Sequence, residues 1–238
     1  IESWIAMNNF GFVFIATEHY KRVAEYSEGI IRRKVREASG DVLVNITIEP
    51  AVDVIDAFRK RLTLPEWTPY DTTIYLDCDM VLVDPDVIAK AYWSIVYSTA
   101  VFMSGWQIAD VEWLWPQSWS EQLSDVFIPE DSRQIVPNAG MIGFKKDYAK
   151  EFFERWHRVW SDRLGRFDVP LLEPAFVRAG LEYRRFDSWI HVPSWAYCNK
   201  DLRVTKAGFV HCTGELVPGL AEDLKSQHKL DQMVKIHE

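Results

Sequence analysis

Apolar and polar positions along this chain switch repeatedly between two spacings. Phe10 to Ala16 (FGFVFIA) is an unbroken apolar run that ends on the polar Thr17, Glu18 and His19, which predicts a buried strand with a ligand-accessible end. Residues 20–38 then carry Tyr20, Val23, Ala24, Ile30, Ile31 and Val35 among charges, the spacing of an amphipathic helix. Asp41 to Ile48 (DVLVNITI) predicts a second strand, Val52 to Leu62 a second helix, and Thr72 to Val83 (TTIYLDCDMVLV) a third strand interrupted by charge. Later, Asn138 to Phe144 (NAGMIGF) is a further apolar piece. It precedes a helix over Asp147 to Leu164 with Phe152, Phe153, Trp156, Val159 and Trp160 as its inner stripe. This alternation predicts an α/β sandwich with a mainly parallel sheet, whose ligands lie beyond the carboxyl ends of the strands. Between Ser104 and Pro137 the periodicity dissolves. A stretch that long inside a compact domain is expected to be a lid or a binding segment.

Composition narrows the classes. At 238 residues and 48% hydrophobic, the chain can bury a large core and fits one domain. A net charge of -8 argues against nucleic acid as a partner, because phosphate backbones are held by clustered Lys and Arg. Cys78, Cys198 and Cys212 are too few and too unevenly spaced for a disulfide framework, so a reducing, cytoplasmic setting is expected. No run of 18 apolar residues suggests a transmembrane segment. Opening on Ile1 rather than Met is compatible with an anchor or leader having been trimmed away. Of the 11 tryptophans, Trp106, Trp113, Trp115 and Trp119 cluster; they read either as cover for the core or as a platform for a sugar ring.

Asp77 and Asp79 stand two apart at the end of an apolar strand, and a strand's period of two puts both carboxylates on one face. Two neighbouring buried carboxylates repel, so something positive is expected between them, most simply a hard divalent cation. Asp84-Pro85-Asp86 repeats the spacing, but the DVIAKAYWSIV that follows it marks a helix start.

Four ordered blocks together resemble the GT-A glycosyltransferases, and within them the retaining glycogenin-like and bacterial galactosyltransferase-like enzymes (glycosyltransferase family 8-like). These are FIATEHY (14–20), TPYDTTIYLDCDMVLVDP (68–85), NAGMIGF (138–144) and VHCTGE (210–215). The resemblance implies a single GT-A (Rossmann-like) α/β/α domain over 1–238. Its nucleotide-sugar half would span about 1–103, with an acceptor loop and the remaining sheet over about 104–238. It implies that Asp77, Asp79 and His211 bind Mn2+ or Mg2+, a histidine favouring Mn2+. Thr17 and Tyr20 would line the nucleotide pocket together with Cys78 and Gly214, while Asn138, Ala139 and Gly140 would border the transferred sugar. Arg59 falls near the basic donor-site position, with Lys60 and Arg61 as competitors. The partners implied are a nucleotide-sugar donor, commonly a UDP-sugar, and a glycan or glycoconjugate acceptor. Two departures stand out. Val169 follows Asp168 where the family has Gln, and Val217-Pro218-Gly219 occupies the place of a diphosphate-binding Lys-Pro-Trp, for which Lys206 or Lys225 is the expected substitute. Retention is the favoured stereochemistry; under inversion Asp110, Glu112 or Asp168 would be the general base. The rival readings are a sugar nucleotidyltransferase, which should carry a glycine-rich loop absent from ATEHYKR, and a non-catalytic carbohydrate-binding module.

Overall fold

The computed structural model describes residues 9–40, 43–107, 135–163, 182–198, 206–212 and 222–237. The first apolar run forms β1 (Phe10–Thr17), buried along its whole length. Period two sends Phe10, Phe12 and Phe14 to one face and Val13 and Ile15 to the other, and each set enters a different hydrophobic cluster. A strand covered on both faces keeps no polar side, which is why the sequence shows a run rather than an alternation. After a single 3-10 turn (Glu18–Tyr20), α1 (Lys21–Ser39) buries Val23, Ala24, Ile30, Ile31 and Val35 against the sheet. It ends at Gly40, whose φ of 74° lies in the left-handed region that glycine enters without a Cβ clash.

The chain continues through β2 (Asn45–Ala51), α2 (Val54–Leu62), α3 (Leu64–Trp67), β3 (Thr72–Leu76), β4 (Met80–Leu82), α4 (Asp86–Val96) and β5 (Val101–Gln107). It then forms β6 (Ile135–Lys145), α5 (Lys146–Arg163), β7 (Tyr183–Arg185), β8 (His191–Pro193), α6 (Ser194–Cys198), β9 (Phe209–His211) and α7 (Glu222–His237). Asp53 caps α2 by accepting a hydrogen bond from the Asp56 amide at 2.8 Å. Asp84 lies one residue ahead of Pro85, the N-cap of α4, and accepts from the Asp86 amide at 3.0 Å, so the second acidic pair marks a helix start as expected.

Among the described residues, six strands form one sheet in the order β2-β1-β3-β6-β5-β7. β1 is parallel to β2 and β3, β5 is parallel to β7, and β6 is antiparallel to both its neighbours, so the sheet is mainly parallel. On one face pack α1, α4 and α7, contributing Ile31, Ala91 and Met233; on the other pack α2 and α5, contributing Leu62, Phe152, Phe153 and Trp156. The result is an α/β/α sandwich. A second, three-stranded sheet has the order β4-β9-β8. The predicted third strand over Thr72–Val83 is therefore two strands in two sheets. The charged Asp77-Cys78-Asp79 stretch is the turn between them, because carboxylates are costly to place in a ladder of fully buried, uncharged side chains. Among the described residues no helix is long and apolar enough to cross a membrane.

Candidate metal and donor site

The turn is closed by the Met80 amide donating to the Asp77 carbonyl at 3.2 Å. Asp77 thus ends the large sheet and Asp79 begins the small one. The two carboxylates converge because the chain turns between sheets, and not through the strand alternation expected from their spacing. His211 arrives on β9, paired opposite Met80, and the Cys212 amide donates to the Asp79 carbonyl at 2.9 Å, fixing the register. One ligand atom each from Asp77, Asp79 and His211 lies within 4.8 Å of the others.

Each carboxylate divides its two oxygens. Asp77 Oδ2 and Asp79 Oδ1 face His211 Nε2 at 3.7 and 3.2 Å. The opposite oxygens are held by the protein: Asp77 Oδ1 accepts from Tyr75 Oη at 2.6 Å and from Arg61 Nη2 at 3.0 Å, while Asp79 Oδ2 is paired with the Lys229 ammonium. Burial by itself raises the Asp79 carboxyl, but Lys229 and His211 outweigh it and hold the group below the ordinary carboxylate range. Burial likewise depresses Lys229, yet Asp79 prevails and keeps the ammonium charged above the usual lysine range. The inner oxygens and the imidazole nitrogen form a hard-oxygen-plus-nitrogen donor set that fits Mn2+, with Mg2+ a second choice. Arg61, Tyr75 and Lys229 would then be the outer partners that orient such ligands.

Around the cluster, Gly140 on β6 accepts from the Asp77 amide at 2.8 Å. A Cβ at Gly140 would lie 2.7 Å from His211 Cε1 and 2.8 Å from Asn138 Oδ1, so glycine is required for this approach. Asn138 is buried and its Oδ1 accepts from the Gly140 amide at 2.8 Å; Ala139 points into the core instead. Thr17 ends β1, and Tyr20 lies with its ring centroid 5.4 Å from Lys229 Nζ, so the end of the first strand and α7 meet beside Asp79. Ser226 of α7 strengthens this junction by donating to the His19 carbonyl.

Several expected residues stand elsewhere. Arg59 is exposed, and Lys60 reaches Glu49 and the Pro50 carbonyl; Arg61 alone of the three lies at the site. The helix period explains the choice, since Arg61 shares the inner face with Ala57, Phe58 and Leu62. Cys78 turns away, its thiol donating to the Ile15 carbonyl at 3.2 Å. Burial first, and then the two aspartates, raise its pKa, so it stays a thiol. Lys206 lies over the Trp189 ring and 3.9 Å from Asp84, away from the cluster. Asp110, Glu112, Asp168, Gly214, Trp113 and Trp115 lie outside the described residues, as does the side chain of Lys225. The sequence reading missed Lys229 and Tyr75. Lys229 had a signal: it falls on the α7 stripe with Ser226, Leu230 and Met233, a basic residue on a buried face.

The sandwich, its small second sheet and the acidic turn joining them have the fold of the GT-A glycosyltransferases. The galactosyltransferase LgtC, in complex with donor and acceptor sugar analogues, superposes with a TM-score of 0.59 at 11% identity, covering 94% of this chain and 95% of LgtC. The bifunctional glycosyltransferase WbbM gives 0.57 at 13% identity, over 96% of this chain and 50% of WbbM. Mouse xyloside xylosyltransferase 1 gives 0.51 at 6%, over 86% and 97%. No protein-family model matches the sequence, and no curated protein matches it.

Proposed function

We propose that this chain is a metal-dependent glycosyltransferase that moves a sugar from a nucleotide-diphosphate sugar, with UDP as the nucleotide, to a hydroxyl of a glycan or glycoconjugate, with retention of configuration. The observation that carries the reading is the division of oxygens in Asp77 and Asp79, one of each toward His211 and the other toward a protein cation. Asp77, Asp79 and His211 would hold Mn2+ or Mg2+, which when bound neutralises charge on a departing diphosphate as a Lewis acid.

The two carboxylate charges are already matched by Arg61 and Lys229. Any added divalent cation therefore leaves a positive site, complementary to a diphosphate. Tyr20 offers a ring for the nucleotide base and Thr17 a hydroxyl beside it. Asn138 offers amide donors to a sugar hydroxyl. Residues up to about 103 would then form the nucleotide-sugar half and the remainder the acceptor half. In the transfer, the bond from the anomeric carbon to the phosphate oxygen breaks and a bond to the acceptor oxygen forms. With retention the acceptor proton passes to the leaving diphosphate, so no dedicated protein base is needed. Asp110, Glu112 and Asp168 are the bases to test if the product is inverted. Trp113 and Trp115 would stack on the acceptor, and their replacement by Ala would lower acceptor use more than donor hydrolysis.

The test is UDP release from UDP-glucose, UDP-galactose and UDP-xylose with Mn2+, with and without glycan acceptors, and anomeric NMR of any product. Release that is lost with EDTA and in Asp77→Asn supports the reading. Absence of release from every donor contradicts it.

A further inference from the structure

The cluster straddles two sheets: Asp77 follows Leu76, the last paired residue of the large one, while Asp79 precedes Met80, which pairs with His211 in the small one. Its spacing therefore depends on what ties the sheets together beneath it. Along β5 and β6, Met103 pairs with Ile142 but the next residue, Ser104, pairs with Asn138, so Ala139, Gly140 and Met141 have no partner on β5. They form a bulge in β6, at which Met141 pairs with Leu76 of β3 and the Gly140 carbonyl takes the Asp77 amide.

At the point where the strands part, Ser104 Oγ donates to the Asn138 carbonyl at 3.2 Å and bonds His191 Nδ1. Ser104, Asn138 and His191 are all buried. A serine hydroxyl has one proton, and here it goes to a carbonyl, so His191 donates through Nδ1–H. His191 stands on β8, which pairs with β9, and its ring centroid is 5.1 Å from that of His211. The His191–Ser104 bond thus joins the small sheet to the large one, directly behind a metal-ligating histidine and at the root of the bulge that receives Asp77.

Resting on the metal reading above, we propose that His191 and Ser104 are a positioning pair: their buried hydrogen bond sets the separation of the two sheets and with it the spacing of Asp77 from Asp79 and His211. Neither is a member of the Asp77, Asp79 and His211 group. Outer partners of metal ligands commonly change affinity by about 10- to 100-fold, which is the scale expected here.

Mn2+ affinity, read without turnover by the electron paramagnetic resonance signal of free Mn2+, tests the pair in the full chain. Ser104→Ala and His191→Leu should each weaken Mn2+ binding about 10-fold. The double variant should be no weaker than the worse single one, because both remove the same bond. His191→Asn, whose amide N–H can take the place of Nδ1–H, should recover affinity to within a few-fold. Folded Ser104→Ala and His191→Leu proteins that bind Mn2+ like the wild type would overturn the pair, as would His191→Asn behaving like His191→Leu at the same melting midpoint. If His191→Leu does not fold, Ser104→Ala, which loses only one oxygen, decides alone. A wild-type protein that binds no Mn2+ would instead overturn the metal reading itself.

Discussion

Lys229 and Asp79, 150 residues apart in sequence, form a buried ion pair at the edge of the Asp77, Asp79 and His211 cluster. The aspartate side chain is 5% exposed and the lysine 17%. Removing one member of such a pair leaves the other as an uncompensated buried charge, at a cost of about 3–5 kcal/mol. Lys229→Met should therefore melt well below the wild type in EDTA. Mn2+ should raise its midpoint by more than it raises that of the wild type, since the cation supplies the missing charge. Differential scanning calorimetry with and without Mn2+ checks both points; equal midpoints in EDTA would contradict the first.

The same pair fixes a pH dependence in metal-free buffer. Asp79 is held below its unfolded value, so its contribution to stability is present above the unfolded carboxylate pKa of about 3.9 and is lost as pH falls below it. In Lys229→Met the largest of the influences that lower Asp79 is gone, so protonating Asp79 costs the variant less than it costs the wild type. The gap in melting midpoint between wild type and variant should thus narrow as pH drops from 6 toward 3. A gap that widens over that range would show that Asp79 does not carry the effect.

Arg59 and Arg61 make a paired test. Arg61 reaches Asp77 and lies over the Tyr75 ring, 5.0 Å from its centroid, whereas Arg59 is exposed. Arg59→Met should change stability by no more than about 0.5 kcal/mol and leave UDP affinity unchanged. Arg61→Met should weaken metal-dependent UDP binding by about 10-fold or more, because the carboxylate loses an outer partner. Titration calorimetry on the two variants separates them.

Gly140→Ala places a methyl group against His211 Cε1 and Asn138 Oδ1. Overpacking of this kind costs about 1–3 kcal/mol, and here the displaced side chain is His211, a ligand of the proposed metal site. Mn2+ affinity should fall more than thermal stability does. An unchanged affinity would mean that His211 is not held against β6 in solution.

Much of this architecture was legible in the sequence. The unbroken run of β1, the stripe of α1 and the inner face of α5 follow from periodicity, because burial on two faces or one leaves a direct imprint on residue order. The direction of β6 left none: a strand buried between neighbours reads the same whether it runs parallel or antiparallel to them. The acidic pair was legible as a site, yet the reason for its convergence was not, since the sequence does not show where β3 hands over to a second sheet. Partners brought together only by tertiary packing were the hardest to see. Arg61 and Lys229 each sit on a buried helix stripe, and that conflict between charge and face is the signal that marks them.

Whether the acidic cluster holds a nucleotide through a metal is decided by isothermal titration of the protein with UDP in Mn2+ and then in EDTA, for the wild type and Asp79→Ala. The wild type should bind UDP in Mn2+ and lose that binding in EDTA, and the variant should not bind it. UDP binding that is equally strong in EDTA and in Asp79→Ala, or none under any condition, would contradict a metal-held nucleotide.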